Sequence, residues 1–385
     1  MCGKDVRHTE AYFDNSATTR PCAEAIDAAA KATAEIWGNP SSLHGHGLAA
    51  EELLELSRER TAKRLFCSPE EIFFTSGGTE SNNTALFGAA RRLKKQGGKI
   101  VSTVIEHPSV YETLGALEKE GFEVVRLGVD GEGKISEDEL FNAVDEKTVL
   151  VSIMAVNNET GAVQPVQAAK RAVARAHSPA LIHCDAVQAF GKMPLKPSAL
   201  GVDLMSISAH KIHGIKGAGA LYIKKGVKIA PLFYGGEQEG KLRPGTQAMP
   251  AIAAFGAAAK ALPPVEEELR QATELRDCML SIFSGIPEIA VNSPADALPF
   301  ITNISVLGRR SEPMLSFLSE RGVYVSSGSA CSKGKRSRVL SEMGLSAERL
   351  ESPLRISFSR FTTKEEIDLL ADALRQGIAK IRPSK

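Results

Sequence analysis

Lys211 stands in SISAHKIHGIKGAGALYI, where a short apolar strand run delivers a lone ammonium into a glycine-rich turn. Burial disfavours the charged form of lysine and frees its lone pair, which suits the residue to forming a Schiff base with a carbonyl. About one strand-loop-strand unit upstream, ALIHCDAVQ ends an apolar run on Asp185. An acid so placed can hold a pyridinium nitrogen protonated, and amine and acid together point to pyridoxal phosphate. Taken alone, a lysine after a strand is more often a solvated turn residue.

A phosphorylated ring needs an anion cradle, and TSGGTESN supplies one at 75–82. Gly77, Gly78 and Thr79 come just before a predicted helix, whose free backbone amides and positive dipole end can hold a phosphate. No GK[ST] follows, so this is not a Walker loop; the plain alternative is a turn with Thr79 as N-cap. Ser208 and His210, flanking Lys211, add hydroxyl and imidazole donors. His107, before Pro108 at a predicted helix start, is placed to stack on a pyridine ring or shuttle a proton, or else to cap and pack. His183 reads as structural. His210 and His213 form an HxxH, but no third ligand is near and no metal site is expected.

Arg355, in SPLRISFSR, is flanked by alternating apolar residues, so a strand projects its guanidinium from a mostly buried segment. It needs an anion: a substrate α-carboxylate held bidentately, or an internal Asp or Glu. Cys331, in VYVSSGSACSKGKRSR, follows small residues and precedes Lys333, Lys335, Arg336 and Arg338. Such cations lower a thiol pKa from its usual value of about 8.5, although charge runs of this kind are also common on solvated surfaces.

These residues need a frame. EIFFT, KIVSTV, FEVVRL, TVLVSIM, ALIHCD, DLMSIS and ALYI are seven short β-rich runs alternating with helical segments such as NNTALFGAARRLKKQG and PVQAAKRAVARAH. That rhythm predicts crossover units and an α/β fold with a mostly parallel sheet between helices. Ligands of such sheets bind beyond the carboxyl ends of the strands. Thr75–Thr79, His107, Asn158, Asp185 and His210–Lys211 all follow strand runs, which aims polar chemistry from five strand ends at one crevice.

Beyond about residue 250 the texture changes. AIAAFGAAAKAL and VEEELRQATELRDCMLSIFSGI read as one long or broken helix interrupted by Pro263 and Pro264. FITNISVL and SPLRISFS are strands, and EPMLSFLSERG and TKEEIDLLADALRQGIAKI helices, of a smaller α+β C-terminal domain. The expected division is a large domain over 15–258 and a small one made of 1–14 and 259–385, carrying Cys331.

The 385 residues are 43% hydrophobic and 24% charged, the composition of an ordinary globular chain. A net charge of +1 predicts no global attraction to nucleic acid or anionic membrane. The start, MCGKDVRHTEAYFD, lacks a signal-peptide apolar stretch and no later run is long enough for a membrane span, so a cytoplasmic protein is expected. Six cysteines without a CxxC pair disfavour a zinc site and a disulfide framework.

FDNSATT at 13–19, GNPSSLH at 38–44, TSGGTESNN at 75–83, EHPSV at 106–110, NNETG at 157–161, DAVQ at 185–188, SAHKIHGIKGAGALY at 208–222, RPGT at 243–246 and SSGSACS at 326–332 together resemble the cysteine desulfurases of the IscS/NifS type, within the class V aminotransferase-like pyridoxal-phosphate enzymes. The resemblance spans nearly the whole chain. It implies a fold type I homodimer that converts L-cysteine to L-alanine and passes sulfur on as a persulfide. Lys211 resembles the Schiff-base lysine, Asp185 the pyridinium partner, Gln188 the donor to the ring oxygen and His107 the stacking acid/base residue. Asn158 matches a position near ring and substrate. Gly78, Thr79, Ser208 and His210 are implied phosphate contacts, with Thr246 reaching in from a partner subunit. Arg355 would take the substrate carboxylate and Cys331 the sulfur.

Two positions depart from the pattern. Pro244 replaces the usual serine, and the stretch after Cys331 is shorter and more basic. The implied partner is a sulfur-acceptor protein, such as an iron-sulfur scaffold or a tRNA-thiolation enzyme. The alternatives are another fold type I enzyme, a transaminase or a selenocysteine/cysteine lyase, and a non-catalytic sulfur relay bearing the cofactor.

Overall fold

The structure, a computed structural model, describes residues 10–328 and 336–383. Its strands in chain order are β1 (Ala11–Tyr12), β2 (Ile72–Thr75), β3 (Lys99–Thr103), β4 (Glu123–Leu127), β5 (Thr148–Ser152), β6 (Leu181–Asp185), β7 (Leu204–Ser208), β8 (Gly219–Ile223), β9 (Ile289–Val291), β10 (Ile301–Val306), β11 (Val323–Tyr324) and β12 (Pro353–Ser357). All seven runs expected between residues 71 and 223 form one sheet, in the order β2-β8-β7-β6-β5-β3-β4. The pairings from β7 through β6, β5 and β3 to β4 are parallel, while β8 runs antiparallel to both β7 and β2. β5, β7 and β8 are buried along their whole length, which explains why they read as continuous apolar runs rather than as alternating ones.

The helix Gly78–Leu93 packs along the middle of this sheet through Ala85, Leu86, Ala89 and Ala90, all fully buried. On the other side, Phe190 and Phe74 meet Phe255 edge-on with ring centroids 6.2 and 6.3 Å apart, a geometry aromatic quadrupoles favour. Phe255 belongs to the helix Met249–Ala261, which is apolar all round because neighbours enclose it. At Gly256 the next helix backbone comes so near that an added Cβ would lie 2.6 Å from Ser57 Cα. The long-or-broken helix expected here is two helices, Met249–Ala261 and Val265–Phe283, parted by the Pro263–Pro264 pair. Pro263 has no N–H and so ends the first ladder after Leu262, while Pro264 stands at the N-cap of the second helix.

β12, β10 and β9 form a separate antiparallel sheet, and β1 pairs in parallel with β11. An isolated bridge between Asp14 and Ser357, with Asn15 Nδ2 donating to Ser357 O at 2.8 Å, carries the early chain past the end of β12 and toward the strand ends of the large sheet. No helix among the described residues is long and apolar enough to cross a membrane.

Candidate active site

A cleft of about 820 Å³ opens at the carboxyl ends of the parallel strands. Gly78, Thr79, His107, Asn158, Asp185, Gln188, Ser208, His210, Lys211 and Arg355 all line it. Thr246 does not; it is exposed on the loop after the 3₁₀ turn Gln238–Lys241. Cys331 lies outside the described residues.

Lys211 ends the short 3₁₀ turn after β7, and its Nζ donates to Ser16 O and, at 2.8 Å, to Ala17 O. Those two carbonyls support an ammonium, yet burial, then the Lys192 and Arg355 cations, push the amine down to about 7. Desolvation and like charge therefore outweigh two hydrogen bonds, and the lone pair is available near neutral pH.

Asp185, at the end of β6, is fixed by two donors. Oδ1 accepts from the Val187 N–H at 3.0 Å, and Oδ2 accepts from Asn82 Nδ2 at 2.7 Å. Asn82 Nδ2 also donates to Ser109 Oγ at 2.9 Å, and Ser109 Oγ lies 2.7 Å from His107 Nδ1. His107 is thus joined to Asp185 through two side chains that residue-by-residue reading passed over. Asn82 sits three residues after Thr79 in a helix, so i, i+3 spacing was the available signal. His107 also caps its helix, Nδ1 accepting from the Ser109 N–H at 3.1 Å. Capping and cleft lining are here one arrangement. Burial lowers the pKa of its ring, against the pull of Asp185.

At the other end, Ser208 Oγ is buried without a hydrogen-bond partner among the described residues, beside the N-terminus of the helix Gly78–Leu93. A Cβ on Gly78 would meet Val187 Cγ2 at 2.7 Å, so only glycine lets this turn sit so close to the strand ends. His210 Nδ1 lies 3.2 Å from Thr18 Oγ1, and burial with Lys211 and Lys216 nearby pushes that imidazole down to about 4. An unpartnered hydroxyl, free helix-terminal amides and Lys216 in the adjoining hollow form a donor set that fits a phosphate. Gln188 donates through Nε2 to Ser16 O at 3.0 Å and leaves Oε1 buried and unpartnered. With the Asp185 carboxylate lining the same cleft, these residues fit pyridoxal 5′-phosphate.

Arg355 is already paired. Nη2 meets Asp14 Oδ1 at 2.7 Å, while Nη1 donates to Asn158 O at 3.0 Å and Gly328 O at 3.2 Å. Nε is buried with no partner among the described residues. Asn158 enters the cleft wall on a turn that Asn157 builds by accepting from the Glu159 and Thr160 N–H groups at 2.9 and 3.0 Å. Glu106 and Arg338 also line the cleft. Burial pushes the Glu106 carboxyl up to about 8, and its Oε2 has no partner. Arg338 Nη2 donates to Glu106 O at 2.7 Å, with its guanidinium 3.6 Å from the Tyr111 ring centroid. Neither role was legible from sequence, because both depend on contacts between distant segments.

A parallel-rich α/β sheet with an amine, an acid and an anion cradle at its strand ends defines a pyridoxal-phosphate enzyme of fold type I. The family model for class-V aminotransferases matches residues 11–370, and the chain belongs to that family. It is 39% identical over 375 residues to a cysteine desulfurase IscS of Methanosarcina thermophila, covering 96% of this chain and 92% of that protein. It is 40% identical over 378 residues to a cysteine desulfurase IscS of Dictyoglomus turgidum, covering 97% and 95%. A solved NifS-like protein superposes with a TM-score of 0.90 at 39% identity, covering 96% of this chain and 99% of that one.

Proposed function

We propose that this protein is a pyridoxal-phosphate-dependent cysteine desulfurase that converts L-cysteine to L-alanine and transfers the sulfur to Cys331. The observation that carries the reading is the convergence of Lys211, Asp185 and His107 on one cleft beside an anion cradle, in a chain nearly as long as the desulfurases it matches. Bound pyridoxal 5′-phosphate supplies the electron sink for the pair left when the substrate Cα proton departs.

The chain's own residues do the rest. Lys211 would hold the cofactor and take the substrate Cα proton at Nζ. Asp185, oriented by Asn82, keeps the ring nitrogen protonated through its negative charge. His107 would lie against the ring and move a proton at the substrate thiol. Gly78, Thr79, Ser208 and His210 hold the phosphate, Gln188 addresses the ring oxygen, and Arg355 with Asn158 orients the substrate. The Cys331 thiolate attacks the substrate sulfur: an S–S bond forms, the Cβ–S bond breaks, and protons complete alanine. No external oxidant is consumed.

The same reading makes the molecule a cytoplasmic homodimer in which Thr246 of one subunit completes the phosphate site of the other. It assigns residues 15–258 to a large unit and 1–14 with 259–385 to a small one, and has the persulfide leave on a sulfur-acceptor protein. Incubation with L-cysteine and a thiol reductant tests it. Alanine and sulfide should form in equal amounts without a keto acid, and not with Lys211→Ala. A requirement for a keto acid would replace the desulfurase by a transaminase.

A further inference from the structure

Lys192 follows β6 in a tight turn and is almost wholly buried. Gly191 fixes the turn: at φ +76° it brings the backbone so close that a Cβ would meet Leu262 Cδ1 at 2.8 Å. Among the described residues Lys192 Nζ makes no hydrogen bond and no ion pair; its near neighbour is the Phe300 ring, 5.9 Å to the centroid. A buried ammonium with so little compensation is costly and needs a reason.

The surroundings supply one. Lys192 and Lys211 line a common small cavity of about 10 Å³, whose lining shares only Lys211 with that of the main cleft. Glu268, Arg360 and His213 share that wall. Cations thus outnumber the one carboxylate. On the cleft side Arg355 adds a further cation, while Asp14, paired with Arg355, and Asp185, bound by Asn82 and the Val187 N–H, pull the other way and are outweighed. His210 and His107, the remaining titratable groups facing Lys211, are both held toward their neutral forms by burial.

We infer that Lys192 is a positioning residue for Lys211: its buried positive charge, across the shared cavity, keeps the neighbouring amine uncharged and able to attack a carbonyl. The inference rests on Lys211 being the cofactor lysine. Two amines lining one small cavity disfavour each other's charged form, and a second cation is a known way to activate a lysine nucleophile. Glu268 decides which one keeps its proton. It faces Lys192, whose amine burial lowers to about 8 with Glu268 opposing, whereas Lys211 falls to about 7. Glu268 thus favours the ammonium of Lys192, whereas Arg355 adds to the repulsion at Lys211.

The test is the rate at which full-length apo protein captures added pyridoxal 5′-phosphate, followed by visible absorbance from pH 5.5 to 9.5. Replacement of Lys192 by Met should raise the midpoint of this profile by about one pH unit and slow capture at pH 7 about fivefold. Lys192→Arg, which restores the charge, should return the midpoint to the wild-type value. If Lys192→Met does not fold, Lys192→Gln carries the same expectation. A purely structural role for Lys192 would change thermal stability without moving the midpoint. An unmoved midpoint in Met or Gln overturns the inference, as does an Arg variant that behaves like them. Lys211→Ala separates the two readings: if it gains the same absorbance as wild type, the cofactor assignment itself fails.

Discussion

Arg355 Nη2 and Asp14 Oδ1 stand 2.7 Å apart, joining β12 to the segment just after β1 across almost the whole length of the chain. The guanidinium proposed to receive the substrate carboxylate is therefore held by an internal acid, with Nε left for an incoming anion. Of the two anions suggested by the sequence, the internal acid is the one seen at this side chain.

Substitution of Arg355 by Lys keeps the charge but cannot span Asp14, Asn158 O and Gly328 O together. Losing a charge-assisted pair is worth about 1.5–3 kcal/mol, so KM for L-cysteine should rise about 10- to 100-fold with a smaller change in kcat. Asp14→Asn removes the competing charge and should lower KM. Steady-state kinetics on both variants decides whether substrate and Asp14 share the arginine.

Asn82→Leu removes the donor that bridges Asp185 and Ser109 while retaining bulk. Asp185 keeps its Val187 N–H but loses the bond at Oδ2, and cofactor affinity should fall about tenfold, corresponding to about 1.4 kcal/mol. Equilibrium dialysis against pyridoxal 5′-phosphate measures this directly. Unchanged affinity would make the Asn82 bridge irrelevant to cofactor binding.

Much of this site was readable because strand ends are: an apolar run followed by a polar residue marks where a parallel sheet presents its chemistry. All seven runs of the large sheet, and polar residues after five of them, were legible in that way. What escaped was set by contacts between distant segments. Asp14 and Arg355 are 341 residues apart, and nothing local announces their pairing. The helix Gly45–Leu65 also escaped, since Leu48 and Leu56 remain exposed and blur the apolar stripe that reveals a helix.

His183 makes a buried link across three strands, Nδ1 2.9 Å from Ser152 Oγ and Nε2 3.0 Å from Ser206 Oγ. Burial pushes its ring down to about 3, below the unfolded value of about 6.5. Between those values the unfolded chain binds the extra proton, so this contribution is intact above about pH 6.5 and is lost as pH falls toward 3. His183→Ala should cost about 1–3 kcal/mol at pH 7 and flatten the acid side of the stability curve. Urea denaturation between pH 4 and 7 reports both.

Thr246 distinguishes a site completed in trans from one complete in each subunit. Lys211→Ala and Thr246→Ala proteins should each be impaired alone, the first fully and the second about tenfold in cofactor affinity. Mixed and allowed to exchange subunits, they should regain wild-type affinity in one of the two sites of each hybrid. No recovery in verified hybrids would place Thr246 outside the partner's site.

The most direct measurement is the mass of the intact protein after a brief incubation with L-cysteine in the absence of reductant, with peptide mapping to locate any gain. One added sulfur atom on Cys331, accompanied by an equal amount of alanine and lost in Cys331→Ser, is the result expected. Alanine produced with Cys331 unmodified and the sulfur on another cysteine, or no sulfur gained by a protein fully loaded with cofactor, would contradict the account.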